Sequence, residues 1–172
     1  MTKTALFCAA ALLAASAPAP AAAGPTDPQI AHIAYTAGNI DIAAAKQALA
    51  RSHSKAVRSF AQQMVRDHQA VNAKALALVK KLHVTPEANS TSAGLQKRAD
   101  ATLKRLSHLS GRAYDRAYVE NEIAYHKTVN GALESTLIPS AKNGELKSLL
   151  GTGLTLFREH QMHAEEVAKA LK

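Results

Sequence analysis

Hydrophobic positions divide the chain into a short apolar leader and a longer series of helical patterns. Met1-Thr2-Lys3 precedes an apolar run over residues 5–17, and three alanines at 21–23 stand before Gly24. A basic start, an apolar run of this length and small residues at its end are the marks of a secretory signal peptide. We therefore expect residues 1–23 to direct export and residues 24–172 to form one mature domain, with an uncleaved N-terminal anchor as the alternative.

After Gly24, apolar side chains recur at alternating spacings of three and four, which predicts amphipathic helices. A helix start is indicated by Thr26-Asp27-Pro28, with a capping side chain followed by proline in the first turn. The pattern predicts four long helices. The first covers about residues 30–50, the second begins at residue 52 or 54 and ends near 84, the third covers 112–137 and the fourth 143–171. Between the second and third, residues 84–111 mix polar positions with a short helical pattern at Leu95, Ala99, Leu103 and Leu106.

The lengths of the connections predict how these helices are arranged. Only a few residues join the first helix to the second and the third to the fourth, so each pair should form an antiparallel hairpin. The long middle connection then acts as a crossover that contains a short extra helix. We expect an all-α, ferritin-like four-helix bundle, and the abundance of alanine with only 4% aromatic residues agrees with close-packed helices.

Each long helix places a polar residue among the apolar positions of its inward stripe. Asp41 does so on the first helix, His68 on the second and His160 on the fourth. On the third helix the stripe contains Tyr118, Glu122 and Tyr125, with His126 at its edge. At about 1.5 Å rise per residue, all of these positions meet within a turn or two of mid-height in the bundle.

Buried charges and imidazoles are expensive unless they are paired, neutralised or bound to metal. Imidazole and carboxylate together suit zinc, iron, copper or manganese, and bundle proteins build metal sites from side chains on facing helices. We predict a metal site formed by Asp41, His68, Glu122, His126 and His160, with Tyr118 and Tyr125 as supporting hydrogen-bond donors. The alternative is a metal-free hydrogen-bonded network that fixes helix register. Asp67, about 100° around the helix from His68, is expected to face solvent or cap a neighbouring group.

Charge and absent motifs limit the other functions. The net charge of +8 becomes +7 once Lys3 is removed, so an anionic surface or an envelope protein partner is an alternative to a metal. The basic residues are scattered, and we expect no specific nucleic-acid binding. The sequence has no P-loop, no Gly-x-Ser-x-Gly and no cysteine after Cys8, which disfavours a nucleotide-binding or hydrolytic enzyme.

Several short motifs stand out along the predicted helices. They are Phe60-Ala61-x-x-Met64-Val65-x-Asp67-His68, then Asn72 and Leu76, Gly111-x-x-Tyr114-Asp115-x-x-Tyr118, His126 and His160. Together they resemble the bacterial domain-of-unknown-function 4142 family. The resemblance covers about residues 28–171 and implies an exported four-helix domain of ferritin-like fold, of the periplasm or cell envelope, without an established activity. The family usually has Glu where this chain has Asp41, a shorter carboxylate, and Phe where it has Tyr114.

The ligand spacing departs from that of diiron carboxylate enzymes. Those proteins use a Glu from each of two helices and a Glu-x-x-His pair from each of the other two. Here the second and fourth helices have no Glu-x-x-His, and Glu122 and His126 are four residues apart. The sequence therefore disfavours a standard diiron oxidase and favours a mononuclear or unconventional site. Open coordination positions would allow metal-assisted chemistry, and a closed set of four ligands would point to binding or structural stabilisation. We expect a role in metal handling or envelope stress protection rather than catalysis, with a metal-free envelope interaction module as the alternative.

Overall fold

The computed structural model describes residues 24–171, so the predicted signal peptide lies outside the described residues. These residues form helices joined by short turns. Their bounds are α1 (Asp27–Arg51), α2 (Lys55–Lys81), α3 (Ser90–Ser107), α4 (Gly111–Ala132), a π-helical turn (Leu133–Leu137), α5 (Ile138–Ser140) and α6 (Gly144–Ala170). Within this part of the chain, no helix has both the length and the apolar character needed to cross a membrane.

The helix starts follow from capping side chains. Gln29 in the first turn of α1 accepts a hydrogen bond from the backbone N–H of Thr26 at 3.2 Å, which is half of a capping box. The Asn143 side chain accepts from the first backbone N–H groups of α6, at 2.9 and 3.0 Å. Asp27 accepts from the backbone N–H groups of Lys142 and Asn143, both at 2.8 Å. This carboxylate therefore ties the start of α1 to the start of α6.

The arrangement confirms the predicted all-α bundle with one long crossover. Helices α1 and α2 form one antiparallel hairpin, and α4 and α6 form the other. Across the bundle, α1 contacts α4 and α2 contacts α6. The crossover helix α3 lies outside, against α1. Gln47 and Arg51 of α1 hold it by donating to backbone carbonyls of Leu103, Ser107 and Leu109.

The crossover helix is longer than the short pattern predicted. It has 18 residues and begins at Ser90, after the capping residue Asn89. The Asn89 side chain accepts a hydrogen bond from the Ser92 backbone N–H, and the Ser92 hydroxyl accepts one from the Asn89 backbone N–H. The polar segment at its start is thus a cap and a first turn rather than a loop. Asn, Ser and Thr are favoured at such positions because they satisfy the free N–H groups.

A π-helical turn interrupts the third long helix near its end. Pro139 has no N–H to bond to the Ser135 carbonyl, and its ring crowds the preceding turn, so regular α-helix is disfavoured there. In the same stretch, the Ser135 hydroxyl donates a hydrogen bond to the carbonyl of Gly131 at 2.7 Å. The helical path continues to Ser140 through this wider turn. Turns of this kind are rare and recur at functional sites.

The bundle core has two parts, and the first is closely packed. This packed half is built from the end of α1, the starts of α2 and α4, the end of α6, and Leu106 of α3. Its largest members, all fully buried, are Phe60, Met64, Leu106, Tyr114 and Tyr118. The rings of Phe60 and Tyr118 lie 6.2 Å apart. Large interlocking side chains fill this half.

The other half contains a cavity. The apolar cluster there consists of Ile30, Ile33, Leu133, Leu137, Ala141, Leu146 and Leu150. Between these residues lies a space of about 570 Å³, lined mainly by apolar side chains. Small residues on three helices, including Ala34, Ala75 and Gly153, line it and leave it unfilled. We call this the cavity half.

Candidate metal centre

A polar layer separates the packed half from the cavity half. Asp41 of α1, His68 of α2, Glu122 and His126 of α4, and His160 of α6 form it, and each is at most 3% exposed. These are the five residues predicted as ligands from the sequence. All four long helices contribute, because the two hairpins bring these positions to one height in the bundle.

Three imidazole rings form a triangle at the centre of this layer. The ring centroids lie 5.3 Å apart for His68 and His160, 5.5 Å for His126 and His160, and 5.7 Å for His68 and His126. One nitrogen from each ring lies within 4.8 Å of the others. Such a cluster is small enough for three nitrogens to hold one transition-metal ion after minor side-chain adjustment, since zinc–nitrogen bonds are about 2.0–2.1 Å.

Two carboxyl groups lie beside the triangle. Asp41, Glu122 and His126 form a second cluster whose ligand atoms are also within 4.8 Å of one another. The Asp41 carboxylate lies 3.4 Å from His68 Nε2, and the Glu122 carboxylate lies 3.7 Å from His126 Nδ1. His126 belongs to both clusters, so an ion beside it would have imidazole nitrogens and carboxylate oxygens close by.

Neighbouring groups determine which ring nitrogen of His126 and of His160 keeps a free lone pair. His126 Nδ1 donates to the backbone carbonyl of Glu122 at 3.0 Å, which leaves the Nε2 lone pair free. His160 Nε2 donates to the Asp67 carboxylate at 3.0 Å, which leaves Nδ1 free. A histidine whose second nitrogen donates to a carbonyl or a carboxylate is the usual arrangement around protein-bound metals, because it fixes both tautomer and ring orientation.

Burial favours the metal-binding form of the imidazoles. Desolvation lowers the pKa of His126 to about 4 and lowers the pKa of His160, although Asp67 opposes the second shift. The pKa of His68 falls well below 6.5 through desolvation and through the charges of the other two rings. All three rings are therefore neutral near pH 7, as nitrogen coordination requires.

The pKa values of the carboxyl groups shift in the opposite direction. Burial raises the pKa of Glu122 to about 7. The pKa of Asp41 lies well above 3.8, first because of desolvation and then because of the charge of Glu122. Two ionised carboxylates in one layer would repel each other, so burial favours the protonated forms, and a positive ion between the two groups would favour the charged forms.

Several atoms of the layer lack hydrogen-bond partners within residues 24–171. They are Asp41 Oδ1, both ring nitrogens of His68, both carboxylate oxygens of Glu122, His126 Nε2 and His160 Nδ1. An unpaired buried polar group costs about 1–3 kcal/mol. A proton shared between Asp41 and Glu122 would satisfy two of these groups, whereas these histidine nitrogens have no hydrogen-bond partner among the described residues.

The two tyrosines predicted as supporting donors are placed differently. Tyr118 is fully buried, and burial together with the charges of Glu122 and Asp41 raises the pKa of its hydroxyl well above 10. Tyr125 is only half-buried and donates to the Ala37 carbonyl at 3.1 Å, one turn before Asp41. His126, predicted at the edge of the inward stripe, is buried instead, because the stripe of α4 advances in steps of four through Tyr118, Glu122, His126 and Asn130.

Two further residues of the site were not predicted from the sequence. Asp67 was expected to face solvent or cap a neighbour, but it lies between α2 and α6 and holds His160. Phe157 stacks on His68 with ring centroids 4.8 Å apart and planes 9° from parallel. For Asp67 the periodicity gives a position about 100° around α2 from His68, but which group it contacts there depends on how the helices pack.

The fold and this layer define a class: an all-α four-helix bundle with a buried cluster of histidines and carboxyl groups. The chain belongs to the family described as Domain of unknown function (DUF4142), whose sequence profile matches residues 12–167. The match confirms the resemblance seen in the sequence. No protein of curated function matches the chain.

A solved structure shares the fold. It is the crystal structure of a Streptomyces coelicolor protein described as a secreted protein, DUF305. The two are 12% identical and superpose with a TM-score of 0.60 over 83% of this chain and 87% of the other. At this identity the likeness concerns the fold alone.

Proposed function

We propose that this protein binds a divalent transition-metal ion in the polar layer and acts after export in metal handling or envelope stress protection. The observation that carries the proposal is the convergence of three neutral imidazole nitrogens without hydrogen-bond partners in the described chain. His68, His126 and His160 would be the primary ligands, with Asp41 and Glu122 as adjacent oxygen donors. Imidazole-rich sites favour zinc, copper or iron.

The Asp67–His160 pair supports this assignment. A carboxylate that holds a histidine ring is worth about 10–100-fold in metal affinity in known sites. Asp67 is 27% exposed, so its loss should disturb the fold little. Export is supported by the leader at residues 1–23 and by the description of the Streptomyces coelicolor protein as secreted.

The proposal is tested by metal content and calorimetric titration of purified, tag-free protein. We expect one zinc ion per chain in wild type and none in the His68→Ala, His160→Ala double variant. The matched control is His53→Ala, His108→Ala, which removes two exposed histidines and should bind normally. Asp67→Asn should keep its circular dichroism spectrum and bind zinc about 10–100-fold more weakly.

Either of two results would overturn the proposal. One is a demetallated wild-type protein that takes up none of zinc, iron, copper or manganese. The other is a double variant that binds metal as tightly as the control variant does.

A further inference from the structure

The cavity meets the polar layer directly. Its lining includes Asp41 and His68 together with Phe157, which covers one face of the His68 ring. Its volume of about 570 Å³ lies within the range of roughly 300–1,000 Å³ that small-molecule sites occupy. A space of this size that ends on metal-ligating residues is larger than coordination of an ion requires.

The cavity is long rather than round. On α1 it extends from Gln29 to Asp41 and on α6 from Leu146 to Phe157, which at 1.5 Å rise per residue is about 17 Å along the bundle axis. Its walls along this length are mostly Ala, Val, Leu and Ile side chains. The shape and the lining suit an extended aliphatic chain better than a compact ring system.

The opening of the cavity carries polar and positive groups. Three exposed residues border it, which are Thr128 of α4, Thr136 of the π-helical turn and Arg98 of α3. The net charge of the chain is +8. A positive protein with an arginine at the opening favours the approach of an anionic ligand.

We propose that the cavity binds a single-chain aliphatic carboxylate, whose chain lies along the bundle axis and whose carboxylate reaches the metal layer beside Asp41 and His68. This inference rests on the proposed metal site, because the ion is the positive partner of the head group. An apolar chain in this space avoids water, and a carboxylate is a suitable oxygen ligand for a divalent ion.

The π-helical turn supports a ligand role for this half. Leu133, Thr136 and Leu137 of that turn line the cavity, so the irregular backbone lies in its wall. The packed half has no such interruption in the described helices. π-helical turns are found frequently at functional sites.

The test is titration of zinc-loaded protein with dodecanoate, compared with dodecyltrimethylammonium and dodecanol. We expect saturable 1:1 binding of dodecanoate, and affinity that rises about fourfold per added methylene from octanoate to dodecanoate. The two other amphiphiles should bind at least tenfold more weakly. Equal affinity for all three would overturn the carboxylate assignment, and the absence of dodecanoate binding would overturn the proposal.

A pair of matched variants tests the location. Ala34→Leu, Ala75→Leu narrows the cavity, whereas Ala73→Leu, Ala77→Leu adds the same atoms on the exposed face of α2. The first should lose dodecanoate affinity at least tenfold and keep zinc affinity, and the second should keep both. Unchanged dodecanoate binding in the cavity variant would overturn the location.

Cobalt in place of zinc reports the head group. Dodecanoate should change the visible absorption spectrum of cobalt-loaded wild type, and dodecanol should not. Binding without a spectral change, or equal binding to metal-free protein, would overturn the contact with the ion. If zinc itself fails to bind, the proposed function fails with it, whereas zinc binding without dodecanoate binding defeats only this inference.

Discussion

The packed half and the cavity half are built by the same four helices but are filled in opposite ways. In the packed half, Phe60, Met64, Tyr114 and Tyr118 are fully buried and interlock. In the cavity half, small side chains line the stripes and about 570 Å³ remains open. A helical pattern of apolar positions therefore sets which face points inward, but the sizes of those residues decide whether the interior closes.

The polar layer lies where the two halves meet. On one side the packed half gives it a closely packed wall, which suits ligands that must be held in position. On the other side the cavity gives access to Asp41 and His68. The contrast suggests that the packed half mainly stabilises the fold, whereas the cavity half leaves space for a ligand.

Removing one aromatic ring from each half should give the largest difference. Phe60→Ala should lower the free energy of unfolding by about 3–5 kcal/mol, because a filled core cannot collapse around the lost ring. Phe157→Ala should cost less than about 3 kcal/mol, since the ring is half-buried and already borders open space. Urea denaturation followed by circular dichroism measures both. Equal losses would show that the two halves are packed alike.

Metal binding in the polar layer should raise the free energy of unfolding. Zinc present at 100 times its Kd should raise the free energy of unfolding by about 2.7 kcal/mol if it binds only the folded chain. His160→Ala should abolish this gain, and His108→Ala, which changes an exposed histidine, should preserve it. Denaturation with and without zinc in each protein provides the measurement. A gain that persists in His160→Ala would mean that zinc binds outside the layer.

The same substitution in each half should change stability with opposite signs. Ala75→Leu fills part of the cavity and should stabilise the protein by about 0.5–2 kcal/mol. Ala61→Leu enlarges a fully buried residue in the packed half and should cost about 1–3 kcal/mol. The thermal midpoints of the two variants are sufficient to compare them. A stabilising Ala61→Leu would contradict the assignment of that half as closely packed.

The fold could be predicted from the sequence because helical periodicity and connection length are local properties. The inward placement of Asp41, His68 and His160 followed from the same periodicity. Contacts between helices could not be predicted in this way, since the Asp67–His160 hydrogen bond depends on how α2 and α6 are rotated against each other. The cavity could not be predicted either, because it depends on which small residues face one another across the bundle.

In metal-free protein the polar layer should give two opposing pH dependences. Burial lowers the pKa of His126 to about 4, and also lowers the pKa of His68 and His160 from 6.5. The unfolded chain then binds more protons as the pH falls below about 6.5, so these groups reduce stability toward pH 4. Glu122, whose pKa burial raises from 4.5 to about 7, holds a proton in the folded state. It therefore reduces stability as the pH rises from about 4.5 to 7. Asp41, whose pKa is raised above 3.8, acts in the same direction as the pH rises above that value.

Glu122→Gln separates these contributions, because it removes one carboxyl titration and leaves the histidines. With metal removed by chelation, the stability of this variant should rise more steeply between pH 4.5 and 7 than that of wild type. Urea denaturation at four pH values across this interval measures the slopes. Glu120→Gln, an exposed change on the same helix, should keep the wild-type slope. If the two variants share one slope, Glu122 titrates in its ordinary range, and the layer is better hydrated than its burial between the two halves implies.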